Sequence, residues 1–175
     1  MQQKAVSQFN FSLKAGGILG IVLILVSVIY YLTGNMLAKS SQWIGYAIMI
    51  IGVVAAQIGY KKLLGGFMTY GQALRTGVLT MLFASVLSGI YTYLLYAFID
   101  PTIPRQLRRY TEEQLIRQGN VPEDQIGAAV DFMAKFQTPV MAFVVTIVGG
   151  LLIGLIISLI TSIFTQKKPP EVDVE

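Results

Sequence analysis

Between Arg75 and Asp100 the chain runs for about 23 residues, Thr76 to Phe98, without a charged side chain. At 1.5 Å of rise per residue, a helix of that length extends about 34 Å, enough to cross the roughly 30 Å hydrocarbon core of a bilayer. No water reaches that depth to hydrogen-bond an open backbone, so the run must be a helix that satisfies itself. Three further apolar runs, at about 15–33, 43–60 and 139–164, repeat the pattern. The expected fold class is therefore all-α: an integral membrane four-helix transmembrane bundle, formed by a single domain over residues 1–168. A cleaved signal peptide is the competing reading of the first run. That run is longer than a typical h-region, however, and no small-x-small site precedes Lys39.

Composition agrees, with 54% hydrophobic and 13% charged residues against about 25% charged in an average soluble domain. Stop signals bound the runs: Thr33-Gly34-Asn35, Lys61-Lys62, Asp100-Pro101 and Gln166-Lys167-Lys168-Pro169-Pro170. Residues 1–14, with Phe9 and Phe11, read as an amphipathic lead-in on the membrane surface, and residues 169–175 as a disordered acidic tail. Tyr30, Tyr31, Trp43, Tyr46, Tyr93, Tyr96 and Phe98 fall at one membrane face, and Phe9, Phe11, Tyr60, Phe67, Tyr70 and Phe164 at the other. Such rings favour the interface, where the body is apolar and the tip wet. Lys4, Lys14, Lys61, Lys62, Arg75, Lys167 and Lys168 cluster at span ends on one side, whereas most opposing cations are mixed with carboxylates in 99–138. The positive-inside rule then places both termini in the cytoplasm.

That puts segment 99–138 outside, where it reads as a short extracytoplasmic helical hairpin between spans 3 and 4. Thr111 and Gln114 have capping-box spacing, Gly119 suits a helix C-cap, and Pro122 suits a first helical residue. Ile126, Ala129, Val130, Met133 and Phe136 recur on one helical face. So small a hairpin cannot bury its own core. It must lie on the membrane, cap the bundle or dock on a partner.

The chain has no cysteine and no histidine. That removes disulfides, thiol nucleophiles, thiolate zinc sites and His- or Cys-ligated haem, together with the usual acid–base group near neutral pH. No lysine sits in a span to replace it, and the carboxylates of 112–131 spread along amphipathic faces. We expect no enzyme activity, no cofactor and no metal. The net charge of +4 lies beside apolar segments rather than in an aromatic-interleaved patch, so the expected partner is the lipid bilayer and not nucleic acid. No charge stands clearly within a span to relay protons or sense voltage, and Gln57 is the one amide well inside.

The strongest pattern is a row of small residues in the fourth run: Ala142, Thr146, Gly150, Gly154, Ser158 and Ser162, four residues apart. The third run carries Gln72, Thr76, Thr80, Ala84, Ser88 and Thr92 at the same step, widened by Ser85 and Gly89. Small residues let helix backbones approach closely in lipid. Each row drifts about 40° per step, so each should serve two neighbours in turn. Gly16-Gly17 and Gly20 faintly echo Gly149-Gly150 and Gly154, too briefly for an internal repeat. Gly65-Gly66 lacks any phosphate-loop pattern and reads as a tight turn.

The stretch Thr69-Tyr70-Gly71-Gln72-Ala73 before the third run, Ile90-Tyr91-Thr92-Tyr93 near its end, and Asp100-Pro101 after it resemble a family of small bacterial membrane proteins known as domain of unknown function 4199. The four-span layout with a long segment before the last span is similar too. The resemblance implies a bacterial inner-membrane location but points to no particular activity, because the family has none assigned.

The functional expectation is a non-enzymatic scaffold or accessory subunit whose hairpin and small-residue faces bind a membrane protein partner or a second copy. The alternative is a homo-oligomeric channel or small permease lined by Thr76, Thr80, Ser88 and Thr92.

Overall fold

A computed structural model describes residues 7–36 and 39–167. Along the chain run α1 (Gln8–Leu32), α2 (Lys39–Leu63), α3 (Tyr70–Leu94), a π-helical turn (Leu95–Ile99), α4 (Ile103–Gln118), α5 (Glu123–Ala134), a 3₁₀ turn (Lys135–Gln137) and α6 (Pro139–Thr165). The fold is all-α, and four helices are long and apolar enough to cross a membrane. The acidic tail, Lys4 and Lys168 lie outside the described residues. Contacts group the chain into two bodies, Met1–Ser88 with Gly149–Glu175, and Gly89–Val148.

Within the first body, α1 begins at Gln8, so residues 8–14 are the first turns of a spanning helix and not a separate surface segment. Their side chains have somewhere to pack. Phe11 stacks at 5.4 Å on Tyr60, and Phe9 meets Phe83 edge-on at 5.2 Å. The stop signals work through glycine. Gly34 (φ 70°) and Gly65 (φ 76°) adopt the left-handed conformation. Around them the Asn35 N–H reaches Tyr30 O and the Gly66 N–H reaches Lys61 O, both at 3.0 Å. This is the Schellman closure, which satisfies the last carbonyls of α1 and α2.

The interior forms where small residues remove side chains from the helix contacts. A Cβ on Gly16 would lie 2.5 Å from Thr80 O and 2.7 Å from Phe83 Cβ, and one on Gly20 would press on Leu87 and Ala84 O. Helix α1 therefore lies backbone-close on α3. On the adjacent row of α3, Gly77 faces Ser158, Met81 faces Gly154 and Ser85 faces Gly150. Helix α3 thus serves α1 with its 76/80/84 row and α6 with its 77/81/85 row. The two neighbours sit side by side on α3 rather than one after the other. Leu19, Val53, Met81 and Ala84 form the apolar centre, and Leu19 fills the space above Gly52.

In the second body, α3 passes into the π turn, which closes through Asp100 N–H to Leu95 O (2.8 Å). Asp100 Oδ1 then accepts from the Thr102 N–H (2.9 Å) and Thr102 Oγ1 (2.5 Å), turning the chain into α4. Helices α4 and α5 pack on each other, with Ile126 and Val130 buried. Gly119 caps α4 at φ 63°, as its spacing predicts. Other details differ. Thr111 stands in mid-helix and donates to Leu107 O, so it opens no capping box; Pro104 near the start of α4 goes with a terminus nine residues before where the Thr-x-x-Gln spacing pointed. Pro122 is the N-cap of α5, one residue before the first helical position. Met133 and Phe136 of the proposed apolar face are 42% and 48% exposed, and Phe136 pairs with Phe132 at 5.5 Å. The Arg108–Asp131 pair (2.6 Å) joins the two helices in solvent, where it adds little stability.

Gly16→Leu and Gly154→Leu should each lower stability by about 1–3 kcal/mol through overpacking. Gly17→Leu and Gly149→Leu, whose Cβ atoms would meet nothing within 4 Å, should leave it unchanged or raise it. Thermal melts in detergent distinguish the two pairs.

Candidate functional site

The first body carries a seam of polar side chains through its buried interior. Gln57, Thr76, Thr80, Ser12, Ser158 and Ser162 are all fully buried, and Thr165 nearly so. Gln57 is the hub. Its Nε2 donates to Ala73 O of α3 (3.2 Å) and Ser162 Oγ of α6 (3.1 Å), which uses both amide protons. Its Oε1 faces Thr165 Oγ1 at 3.1 Å, whose single proton it shares with Thr161 O at 3.0 Å. One amide from α2 therefore ties α3 and α6. Lys61, one turn on, adds a bond from Nζ to Thr165 O (2.9 Å).

A second knot joins α1 to α3. Gln8 Nε2 donates to Gln72 O (2.7 Å) and Thr76 Oγ1 (2.8 Å), and Thr76 Oγ1 donates to Gln72 O (2.8 Å). Ser12 Oγ lies 3.5 Å from Thr76 O. Away from water these groups have no other partners to exchange with, so each bond resists the sliding of one helix past another. Among the described residues, the hydroxyls of Thr80 and Ser158 are buried without a hydrogen-bond partner.

The Thr69–Ala73 motif sits at the start of α3 and ties that end to α6. Thr69 and Gln72 form a capping box: Thr69 N–H donates to Gln72 Oε1 (2.9 Å), and Gln72 N–H donates to Thr69 Oγ1 (3.3 Å). The spacing Thr-x-x-Gln is present here as it is at Thr111, and this is where the box forms. It also moves the start of α3 from Thr76, where the uncharged run begins, back to Tyr70, leaving Arg75 exposed within the helix. Tyr70 Oη donates to Leu159 O of α6 (3.2 Å). Ala73 is fully buried, and its carbonyl is the one that receives Gln57. Just before the motif, Met68 and Lys167 exchange two backbone bonds (2.9 and 2.8 Å), and Lys167 Nζ stands 5.5 Å above the Phe67 ring. Nothing in the surrounding space requires glycine at Gly71.

Of the proposed packing or pathway positions, Gln72, Thr76, Thr80, Gly150, Gly154 and Ser158 come together in the first body, at the α1–α3 and α3–α6 contacts. Ser88 closes that body's part of α3, and Thr92 belongs to the second, with Tyr91, Tyr93, Asp100 and Pro101. Tyr93 meets Phe98 edge-on at 6.3 Å. Gln8, Ser12, Gly77 and Thr165 were not anticipated. The signal for the first two was available: Gln8, Ser12, Gly16 and Gly20 form a four-residue row like those of α3 and α6. Chemically the seam is a set of amides, hydroxyls and carbonyls, and its one cation, Lys61, stands at its edge. Among the described residues no three acidic side chains gather as metal ligands would.

The family model described as a protein of unknown function (DUF4199) matches residues 14–167. The chain belongs to the DUF4199 family. No curated protein and no solved structure matches it. The matched region of this DUF4199 member takes in the Thr69–Ala73 capping box, the Asp100–Pro101 turn and nearly all of the four spanning helices. The Thr69–Ala73 part of the resemblance therefore caps α3 and ties its start to α2 through Ala73 and to α6 through Tyr70.

Gln57→Leu should leave Ser162 without its amide donor and Thr165 with only its bond to Thr161 O, and cost about 1–3 kcal/mol, read as a lower melting temperature in detergent. Thr69→Ala should cost about 1 kcal/mol through loss of the cap, while Thr111→Ala, in mid-helix, should cost less.

Proposed function

We propose that this multi-pass membrane protein is a non-enzymatic scaffold or accessory subunit. It would reside in a bacterial inner membrane with both termini in the cytoplasm, and would bind a membrane protein partner or a second copy through the α4–α5 segment. The observation that supports this reading is the contrast between the two bodies. In the first, Gln8, Gln57, Thr76, Ser162 and Thr165 are engaged in joining the spanning helices to one another. In the second, Ile103, Ile126 and Val130 are the buried apolar residues described in α4 and α5, while Ile116, Phe132, Met133 and, in the 3₁₀ turn, Phe136 stay exposed. A segment that exposes so much apolar surface beside charge is suited to a partner. Deleting residues 104–136 from the tagged protein should abolish co-purification of the partner while the melting transition of the spans persists. Recovery left intact would overturn the reading.

One observation favours an oligomeric channel or small permease instead. The buried Thr80 and Ser158 hydroxyls lack hydrogen-bond partners and could receive a passing solute. A pathway along Thr76, Thr80, Ser88 and Thr92 predicts that replacing the threonines with Val and Ser88 with Ala abolishes flux in liposomes. Flux that survives all four changes would eliminate that route.

A further inference from the structure

In the first body, α1 and α2 line a groove of about 520 Å³, formed by Phe11, Lys14, Ile18, Val22, Ile51 and Ala55 among others. Its volume lies within the roughly 300–1,000 Å³ of small-molecule sites. It exists because the positions that would fill it are small: Ala15 on α1, and Gly52, Ala55 and Ala56 on α2. Leu19 folds inward over Gly52 and closes the floor, and the Phe11–Tyr60 contact stands at one end. Lys14 is the only polar side chain lining the groove and the only charged residue of α1. Val22 stands eight residues deeper, about 12 Å along the helix. The groove is thus amphiphilic along its length, cationic at the end where the apolar run begins and wholly apolar within the span.

We propose that this groove binds one anionic glycerophospholipid, its phosphate on Lys14 and an acyl chain laid toward Val22. This goes beyond the scaffold reading and does not depend on it. An empty groove at bilayer depth would forfeit dispersion contacts along its walls, so something apolar must occupy it. Charge decides between a lipid and a second copy. None of the four spanning helices carries an Asp or Glu, so the spans of a second copy packed here offer Lys14 no counter-charge. A lipid phosphate does, and an additional net negative charge on the headgroup strengthens the pairing.

The test is native mass spectrometry of the delipidated full chain, titrated with phosphatidylglycerol or phosphatidylcholine of identical acyl chains. The wild type should retain phosphatidylglycerol about fivefold better, the effect expected of one lysine at an anionic lipid. Lys14→Gln should erase the preference, and Lys14→Arg should keep it. Lys62→Gln, which removes an exposed charge from the same end of the first body but outside the groove, should also keep it. Ala55→Phe, an exposed position on the groove, should reduce retention of both lipids with helicity intact by circular dichroism. If that variant loses helicity, the Lys14 series alone decides. Equal retention of the two lipids by the wild type, or a preference that survives Lys14→Gln, would overturn the proposal. So would a lipid-free dimer that Ala55→Phe dissociates, because the groove would then be an interface between copies.

Discussion

Gln57 holds α2 to α3 and α6 in a part of the molecule where apolar burial is not selective. Between spanning helices the surrounding lipid is as apolar as leucine, so burial of side chains gives little net drive for one arrangement over another. A primary amide deep in the span changes this. Both of its protons and its carbonyl are used, by α3 at Ala73 and by α6 at Ser162 and Thr165. Breaking that set strands polar groups where water cannot reach them. The register of α2 against α3 and α6 follows from this side chain together with the Lys61 bond to Thr165 O.

The close packing of α1, α3 and α6 depends on a second constraint, the absence of side chains. Gly16 and Gly20 admit the α3 backbone to α1, and Gly150 and Gly154 admit Ser85 and Met81 to α6. Close approach and hydrogen bonding support each other. Gln8 can reach Thr76 because Gly16, two turns along, lets the helices touch. Adjacent rows on α3 carry the two contacts, which is why that helix is lined with Thr, Ser, Ala and Gly rather than with leucine.

The Thr69–Ala73 stretch gathers several of these ties at one end of α3. It caps the helix, hooks Tyr70 onto α6 and offers the Ala73 carbonyl to Gln57. The adjoining Met68–Lys167 pairing fastens the loop to the end of α6. The Thr69–Ala73 residues of the family resemblance here do structural work, and the exposed apolar surfaces lie elsewhere: on α4 and α5 in the second body, and in the Lys14 groove of the first.

Uncharged length and stop residues were enough to determine the four spanning helices, because lipid leaves the backbone no alternative to a helix. The same local rule placed Gly34, Gly65 and Gly119 at helix ends, where only glycine takes a positive φ cheaply. The small-residue rows of α3 and α6 marked close contact, and Gln57 stood out as a lone amide, without either naming its partner. Those partners were a matter for the tertiary structure. Thr69 and Thr111 carry the same Thr-x-x-Gln spacing, yet only Thr69 caps a helix, because Thr111 falls inside one that Pro104 had already begun. Met133 and Phe136 share a helical face with Ile126 and Val130, yet stay exposed, because α4 covers only part of α5. Local sequence sets the period and the ends of a helix; which face is covered, and by what, depends on residues far away in the chain.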